Sequence, residues 1–229
     1  MARARAIVIQ DDQLRIPGDA LSYQGFHRWV DSAVFPETGR IDYLAGDIEV
    51  DMSPEDLFTH GTLKTEIVRS LGNVLAAGDL GDVFADSTRV TSRFAGLSAE
   101  PDVVVVLWES LRSGRVRNVP AAAKGPDRFV ALEGAPDIVV EVVSDSSLGK
   151  DTKRLPPLYA KAGIPELWLI DARGKELRLQ IHALKEGKYV PAKPNSQGWA
   201  RSARLAMAFR LSRQRTPVGT WRYTLEQRA

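Results

Sequence analysis

Pro136-Asp137-Ile138-Val139-Val140-Glu141-Val142-Val143-Ser144 decides the fold, because from Ile138 to Val143 every residue is β-branched except one, and that one is a carboxylate. The run is too short for a buried helix and does not alternate, so it reads as a strand covered on both faces. Pro101-Asp102-Val103-Val104-Val105-Val106-Leu107-Trp108 has the same character, and Asp82–Val90 reads as a third strand. Asp102 and Glu141 are each set into an apolar strand, where an ionised carboxylate costs several kcal/mol unless paired, protonated or metal-bound. On neighbouring strands they could share a cation held by oxygen ligands; alternatively each pairs with an arginine or lies at an exposed strand end. Asp137 lies about 13 Å along the strand from Glu141, too far to share an ion with it, and reads as a residue that starts the strand.

Working outward, Arg40–Leu44 and Ile48–Met52 alternate apolar and polar residues around Ala45-Gly46-Asp47, which predicts a hairpin. Ser53-Pro54 predicts the start of a helix reaching about Ala77, with His60, Leu63, Ile67, Leu71 and Val74 on one face and Gly78 as its stop. Ser22 caps a shorter helix through Val30. Residues 109–128 read as a long loop bearing Arg112, Arg115, Arg117, Lys124 and Arg128, followed by a short strand over Phe129–Leu132. Pro157 forbids a helix continuing from far upstream, so the next helix is expected to begin near Lys153 or Arg154 and to end at Gly163. Leu167–Asp171 is then a strand, and Glu176–Leu184 with Lys188–Val190 a hairpin. The pattern is α/β (α+β), a mixed sheet flanked by helices. It is expected to form one domain over residues 1–229, with a core at about 40–171, an N-terminal helix and a β-rich, Arg-rich C-terminal extension.

The chain has 229 residues, 44% of them hydrophobic and 26% charged, the balance of a globular protein. It has no cysteine, which removes disulfides, thiolate nucleophiles and Cys-bound metals, and three histidines, His27, His60 and His182. Any metal held by side chains is therefore expected to sit among carboxylate and carbonyl oxygens, favouring Mg²⁺ or Mn²⁺. The net charge is only +2, but residues 201–229 hold seven arginines against one glutamate. Such a segment can meet phosphates or pair with the acidic remainder. No apolar run is long enough to cross a membrane, and Arg3 and Arg5 are followed by too short an apolar stretch for a signal peptide, so a cytoplasmic location is expected. Gly-rich phosphate loops, a Gly-x-Ser-x-Gly elbow and a His-Glu-x-x-His pattern are absent. His60 reads as a packed histidine rather than a base, and Glu66, near Lys64 and Arg69, as an exposed residue.

Pro101-Asp102-Val103-Val104-Val105, Pro136–Ser144, Asp151, Tyr159-Ala160 and Ala162–Asp171, with the upstream Gly46–Pro54 and His60, resemble the Uma-two family of endonucleases over some 130 residues, from about Arg40 to Asp171. The resemblance implies a restriction-endonuclease-like fold of the PD-(D/E)XK superfamily. It also implies Mg²⁺ or Mn²⁺ on Asp102, Glu141 and the Val142 carbonyl, and hydrolysis of DNA. The superfamily's lysine, two residues after the acid, is replaced here by Val143. The position four residues after Asp151, where relatives carry the migrated lysine, is Leu155. Lys153 and Lys150 remain to supply the ammonium, with Lys153 favoured. A catalytically inactive DNA- or protein-binding module on the same fold is the alternative, and a homodimer is one assembly such a chain could form.

Overall fold

The computed structural model describes residues 6–9, 14–121 and 127–229; Arg3, Arg5 and Lys124 fall outside them. β1 (Ala6–Ile9) pairs antiparallel with β2 (Leu14–Pro17), and α1 (Tyr23–Val30) is capped by Ser22, whose Oγ accepts from the Gly25 N–H at 3.1 Å. β3 (Arg40–Leu44) and β4 (Asp47–Asp51) form the expected hairpin. The following helix begins later than Ser53. Asp56 takes the cap, its Oδ1 accepting from the N–H groups of Phe58 and Thr59, and a π-type turn at Leu57–Gly61 leads into α2 (Thr62–Gly78). A carboxylate that satisfies two free N–H groups beside the positive helix end outcompetes a serine hydroxyl there.

The single strand expected over Asp82–Val90 is two strands, β5 (Gly81–Ala85) and β6 (Arg89–Ser92). Asp86 and Ser87 adopt φ of 39° and 48°, a left-handed pair that no continuous strand accommodates. The break sends β5 and β6 to different sheets. β7 (Leu97–Ala99), β8 (Val103–Leu107), α3 (Trp108–Arg112), β9 (Val116–Pro120), β10 (Phe129–Gly134) and β11 (Ile138–Val142) follow. Much of the expected 109–128 loop is thus α3 and β9. After β11, Leu148 and Gly149 are already helical and a π-type turn at Lys150–Arg154 precedes α4 (Leu155–Ala162), so the helical path starts about five residues before the predicted point. Its wider turn is complete before Pro156 and Pro157, which can donate no backbone hydrogen bond. Gly163 ends α4 at φ 82°, as predicted. β12 (Glu166–Asp171), β13 (Arg178–Lys185), β14 (Lys188–Pro191), β15 (Ala200–Ser202), β16 (Met207–Arg215) and β17 (Trp221–Arg228) complete the chain.

Two mixed six-stranded sheets, ordered β4-β3-β7-β6-β10-β9 and β14-β13-β12-β11-β8-β5, are accompanied by a three-stranded antiparallel sheet β15-β16-β17. Within the second sheet, β8 and β11 pair antiparallel with Val103 opposite Val140. Strand alternation sends Val103, Val105, Ile138 and Val140 toward α2, where they pack on Leu63, Ile67, Leu71 and Leu75. The C-terminal sheet joins that same core through Phe209, Tyr223 and Leu225. Val104, Val106 and Val139 face the other way, onto Leu155 and Tyr159 of α4 and Leu97 of β7. Asp102 and Glu141 share the parity of this second face, at the end of the β8/β11 ladder that points toward the first sheet. No described helix is long and apolar enough to cross a membrane.

Candidate active site

Asp102 and Glu141 are both about 1% exposed. The Val142 N–H donates to Asp102 Oδ2 at 2.7 Å, and Arg40 Nη2 donates to Asp102 Oδ1 at 2.8 Å. Tyr159 Oη donates to Glu141 Oε1 at 2.5 Å. Two further buried carboxylates lie with them. Asp42, on β3, accepts from Lys150 Nζ at 3.0 Å and from the Glu100 N–H at 3.1 Å. Asp151 accepts from the Ser147 hydroxyl through Oδ2, while its buried Oδ1 has no partner. The site is therefore made where the end of the second sheet, the turn before α4 and β3 of the first sheet meet.

Burial raises the Glu141 carboxyl well above the ordinary range, reinforced by the negative charges of Asp151 and Asp102. Asp151 is pushed up to about 6, again chiefly by burial. Asp102 moves the opposite way: burial works to raise it, but the His60 hydrogen bond, the Arg40 and His60 charges and the Val142 N–H outweigh burial and hold it ionised. Two adjacent carboxylates thus sit in opposed protonation states, the condition expected where like charges are gathered without an added cation. Lys150 is raised despite its burial, because Asp42 and Glu141 face it. His60 is raised as well; burial opposes its charge, yet Asp102, 3.4 Å from Nε2, and Glu55, at Nδ1, overcome it. His60 thus bridges Glu55 and Asp102 through its two ring nitrogens and positions both carboxylates.

Lys153 is exposed, whereas Lys150 is 5% exposed and bonded to Asp42; the expectation that Lys153 reaches the site ahead of Lys150 is reversed. The reason is the π-type turn, which begins at Lys150 and turns that side chain inward. Glu66 is not at the site: it accepts from Arg69 and Ser70 and, through Oε1, from the Leu225 N–H at 2.9 Å, which ties α2 to β17. Asp137 is fully buried, and its Oδ1 accepts from Arg115 and Arg204 while Oδ2 accepts from the Leu107 N–H at 2.8 Å. It is a structural anchor away from the pair formed by Asp102 and Glu141. Sequence reasoning missed Arg40, Asp42 and Tyr159. Asp42 carried a usable signal, a carboxylate between Ile41 and Tyr43, but alternation in a hairpin assigns such a residue to solvent.

Arg40 and Lys150, which bond Asp102 and Asp42, line a cleft of about 670 Å³ together with Asp51, Ser53, Ser146 and Arg154; none of the four carboxylates lines it. A smaller recess of about 190 Å³ lies beside it, bordered by Arg40, His60, Lys64 and Asp86. The hydrogen bond from Ser146 Oγ to Asp51 Oδ2, 3.0 Å, crosses between them. A cavity of about 780 Å³ under α1 is lined by none of the four carboxylates.

The donor chemistry fits a hard divalent cation. Asp42, Asp102, Glu141 and Asp151 offer oxygen alone and leave the Asp151 Oδ1 unpartnered, with Arg40 and His60 facing Asp102 and Lys150 facing Asp42. Among the described residues, however, no three such side chains already converge as a metal cage, and Arg40 occupies the Asp102 Oδ1.

For the protein free of divalent metal, the shifts fix a pH dependence. Asp151 holds its proton to about pH 6 when folded but only to 3.8 when unfolded, so between those values the folded state binds more protons and stability falls as pH rises. The raised Glu141 extends the fall in the same direction. Melting temperature measured in chelator should therefore decline from about pH 4 to 6, and Asp151→Asn should flatten that decline; an equal slope in the variant would refute the assignment.

Mixed sheets with helices against them, joined at a buried carboxylate cluster, define a nuclease-like α/β fold. Residues 23–215 match the Uma2 family, described as "Putative restriction endonuclease". The chain belongs to that family. Among solved structures it is similar to a protein from Anabaena variabilis ATCC 29413, titled a putative nuclease belonging to DUF820. The two share 17% identity with a TM-score of 0.59, over 81% of this chain and 90% of the other. At that identity the likeness establishes the fold alone. Comparison with curated protein sequences gave no match.

Proposed function

We propose that the chain is a metal-dependent endonuclease hydrolysing phosphodiester bonds in DNA. The observation that carries the reading is the placement of Asp102 and Glu141 side by side at the end of adjacent strands, in a group of four buried carboxylates of which Asp151 keeps an unpartnered Oδ1. Asp102, Glu141 and the Val142 carbonyl would hold Mg²⁺ or Mn²⁺, which when bound polarises a phosphoryl oxygen and acidifies a water. Asp102 is kept ionised for this by Arg40 and His60, so it needs no deprotonation first. Tyr159 orients Glu141 through Oε1. Lys150, buried and held by Asp42, supplies the ammonium that Val143 and Leu155 cannot, and stabilises negative charge developing on the phosphate. Arg40, which lines both openings, is the second cation able to meet a phosphate oxygen.

The lysine assignment is tested by cleavage of supercoiled plasmid in Mg²⁺ or Mn²⁺. Lys150→Ala should lower the rate about 10²- to 10³-fold, the scale of one preorganised charge donor, whereas Lys153→Ala should stay within a few-fold of wild type. Equal activity of the two variants would remove Lys150 from the mechanism. One observation favours a second reading, a non-catalytic DNA- or protein-binding module: Arg40 already neutralises Asp102. Under that reading calorimetry finds no Mn²⁺ binding and no variant matters to cleavage, because the wild type never cuts.

A further inference from the structure

The arginines of the C-terminal segment divide into two groups. Arg204 is spent on Asp137, and Arg213 donates to the carbonyls of Ala172, Gly174 and Lys175. Arg215, on the same side of its strand as Arg213, stacks on Trp221 and donates to the Gly219 carbonyl. Arg201, Arg210, Arg222 and Arg228 gather on the face of the β15-β16-β17 sheet that turns away from the core. Register places Arg201, Ala208 and Arg228 side by side across the three strands, with Arg210 opposite Glu226 one step along and Arg222 opposite Gln214 further on. The reverse face carries buried Ala200, Ser202, Phe209, Tyr223 and Leu225, so alternation commits all four arginines outward. Arg210 is paired with Glu226 at 2.7 Å; among the described residues no carboxylate forms an ion pair with Arg201, Arg222 or Arg228.

Trp199 organises this face. The Arg210 and Arg228 guanidiniums lie 4.9 Å and 4.3 Å from its ring centre. The stacked Arg228 guanidinium spends its flat surface on the indole and keeps its N–H edges for an oxyanion, with less side-chain freedom left to lose on binding, whereas Arg210 Nε and Nη2 already donate to Glu226. Between Arg201 and Arg228 stands only Ala208, which leaves a shallow space two strand spacings wide, about 10 Å. The remaining outward residues, Ser212, Gln214 and Thr224, are polar and short, the types that donate to phosphates. Protein interfaces are built around an apolar centre, and the flanks of this face offer none beyond Trp199.

We propose that this outward face is a second, non-catalytic contact for the phosphate backbone of duplex DNA, carried by a sheet whose β17 packs on α2 and on the turn that holds His60. The inference rests on the nuclease reading for the identity of the polyanion. It is tested with the full chain, a 30-base-pair duplex and fluorescence anisotropy from about 50 to 200 mM salt in chelator, alongside plasmid cleavage in Mg²⁺.

The triple variant Arg201→Gln, Arg210→Gln, Arg228→Gln should bind at least tenfold more weakly at low salt. Its log K against log salt slope should shrink by about 2 to 3, near 0.9 for each lost phosphate contact. A control with the same loss of charge elsewhere, Lys175→Gln, Lys185→Gln, Lys188→Gln, should change little; all three lysines are exposed. If the arginine triple, folded by its circular dichroism melt, binds like wild type while wild type binds and cuts, this inference falls and the nuclease reading stands. If both triples weaken binding equally, the effect is net charge and the face is not a site. If the arginine triple loses only affinity for polyglutamate, the partner is an acidic protein and the proposal is overturned. A wild type that neither binds nor cuts overturns both.

Discussion

Glu141→Gln should abolish Mg²⁺-dependent plasmid cleavage while leaving the metal-free protein as stable as wild type at neutral pH, or more so. Burial and the neighbouring Asp102 and Asp151 already drive the proton onto this carboxyl, so a neutral amide of the same shape replaces what the folded protein prefers without metal. Tyr159 can still donate to the amide oxygen. Under the proposed function what is lost is the anionic ligand, and several kcal/mol of transition-state stabilisation correspond to a rate loss of about 10³-fold or more. Asp102→Asn would be a poorer test, because it strips the partner from the largely buried Arg40 and destabilises the fold directly. Cleavage and Mn²⁺ titration by calorimetry, paired with a thermal melt in chelator, separate the two effects. Full cleavage by a well-folded Glu141→Gln would end the metal-nuclease proposal.

Phe209→Ala should be the most damaging substitution outside the site. Phe209 has no exposed surface, its ring centre lies 4.9 Å from that of Trp168 in an edge-on contact, and both belong to the core shared by α2 and the β8/β11 pair. Removing a buried aromatic costs about 3–5 kcal/mol, a large part of the 5–15 kcal/mol that holds an average domain folded. Denaturant unfolding should show a single transition moved to much lower denaturant. If Phe209→Ala instead melted the C-terminal sheet alone and left the remainder at its wild-type midpoint, the shared core would not be cooperative.

Asp102 and Glu141 were legible in the sequence because a charge inside a β-branched run conflicts with its surroundings and must be resolved by some partner. The same conflict is invisible at Asp42. There, polar residues alternate with apolar ones, and alternation implies solvent only when one face of a strand is open; on β3 the face that carries Asp42 is covered by the turn before α4, whose Lys150 bonds to it, and Asp42 is 1% exposed. The inward placement of Lys150 was hidden for a local reason. Proline chemistry sets where an α-helix can begin, but a π-type turn can precede it, and that turn decides which lysine faces inward. The break at Asp86 and Ser87 was equally hidden, since neither is a glycine, the residue that normally marks a left-handed turn. The Arg-rich end was legible as charge, but its division into core anchors and an outward face depends on register, which one sequence does not specify.

The pairing of Lys150 with Asp42 joins residues that leave the ribosome more than a hundred positions apart, and Asp102 and Glu141 are delivered between them. Nascent chains that have formed only the first sheet hold Asp42 and Arg40 but neither the Glu141 carboxyl nor the Lys150 ammonium. Contacts so distant in sequence form late, after the loop-closure entropy has been overcome. A newly made chain is thus chemically blank until the turn after Ser144 docks onto β3, so cutting power, under the proposed function, arrives only with a nearly finished fold.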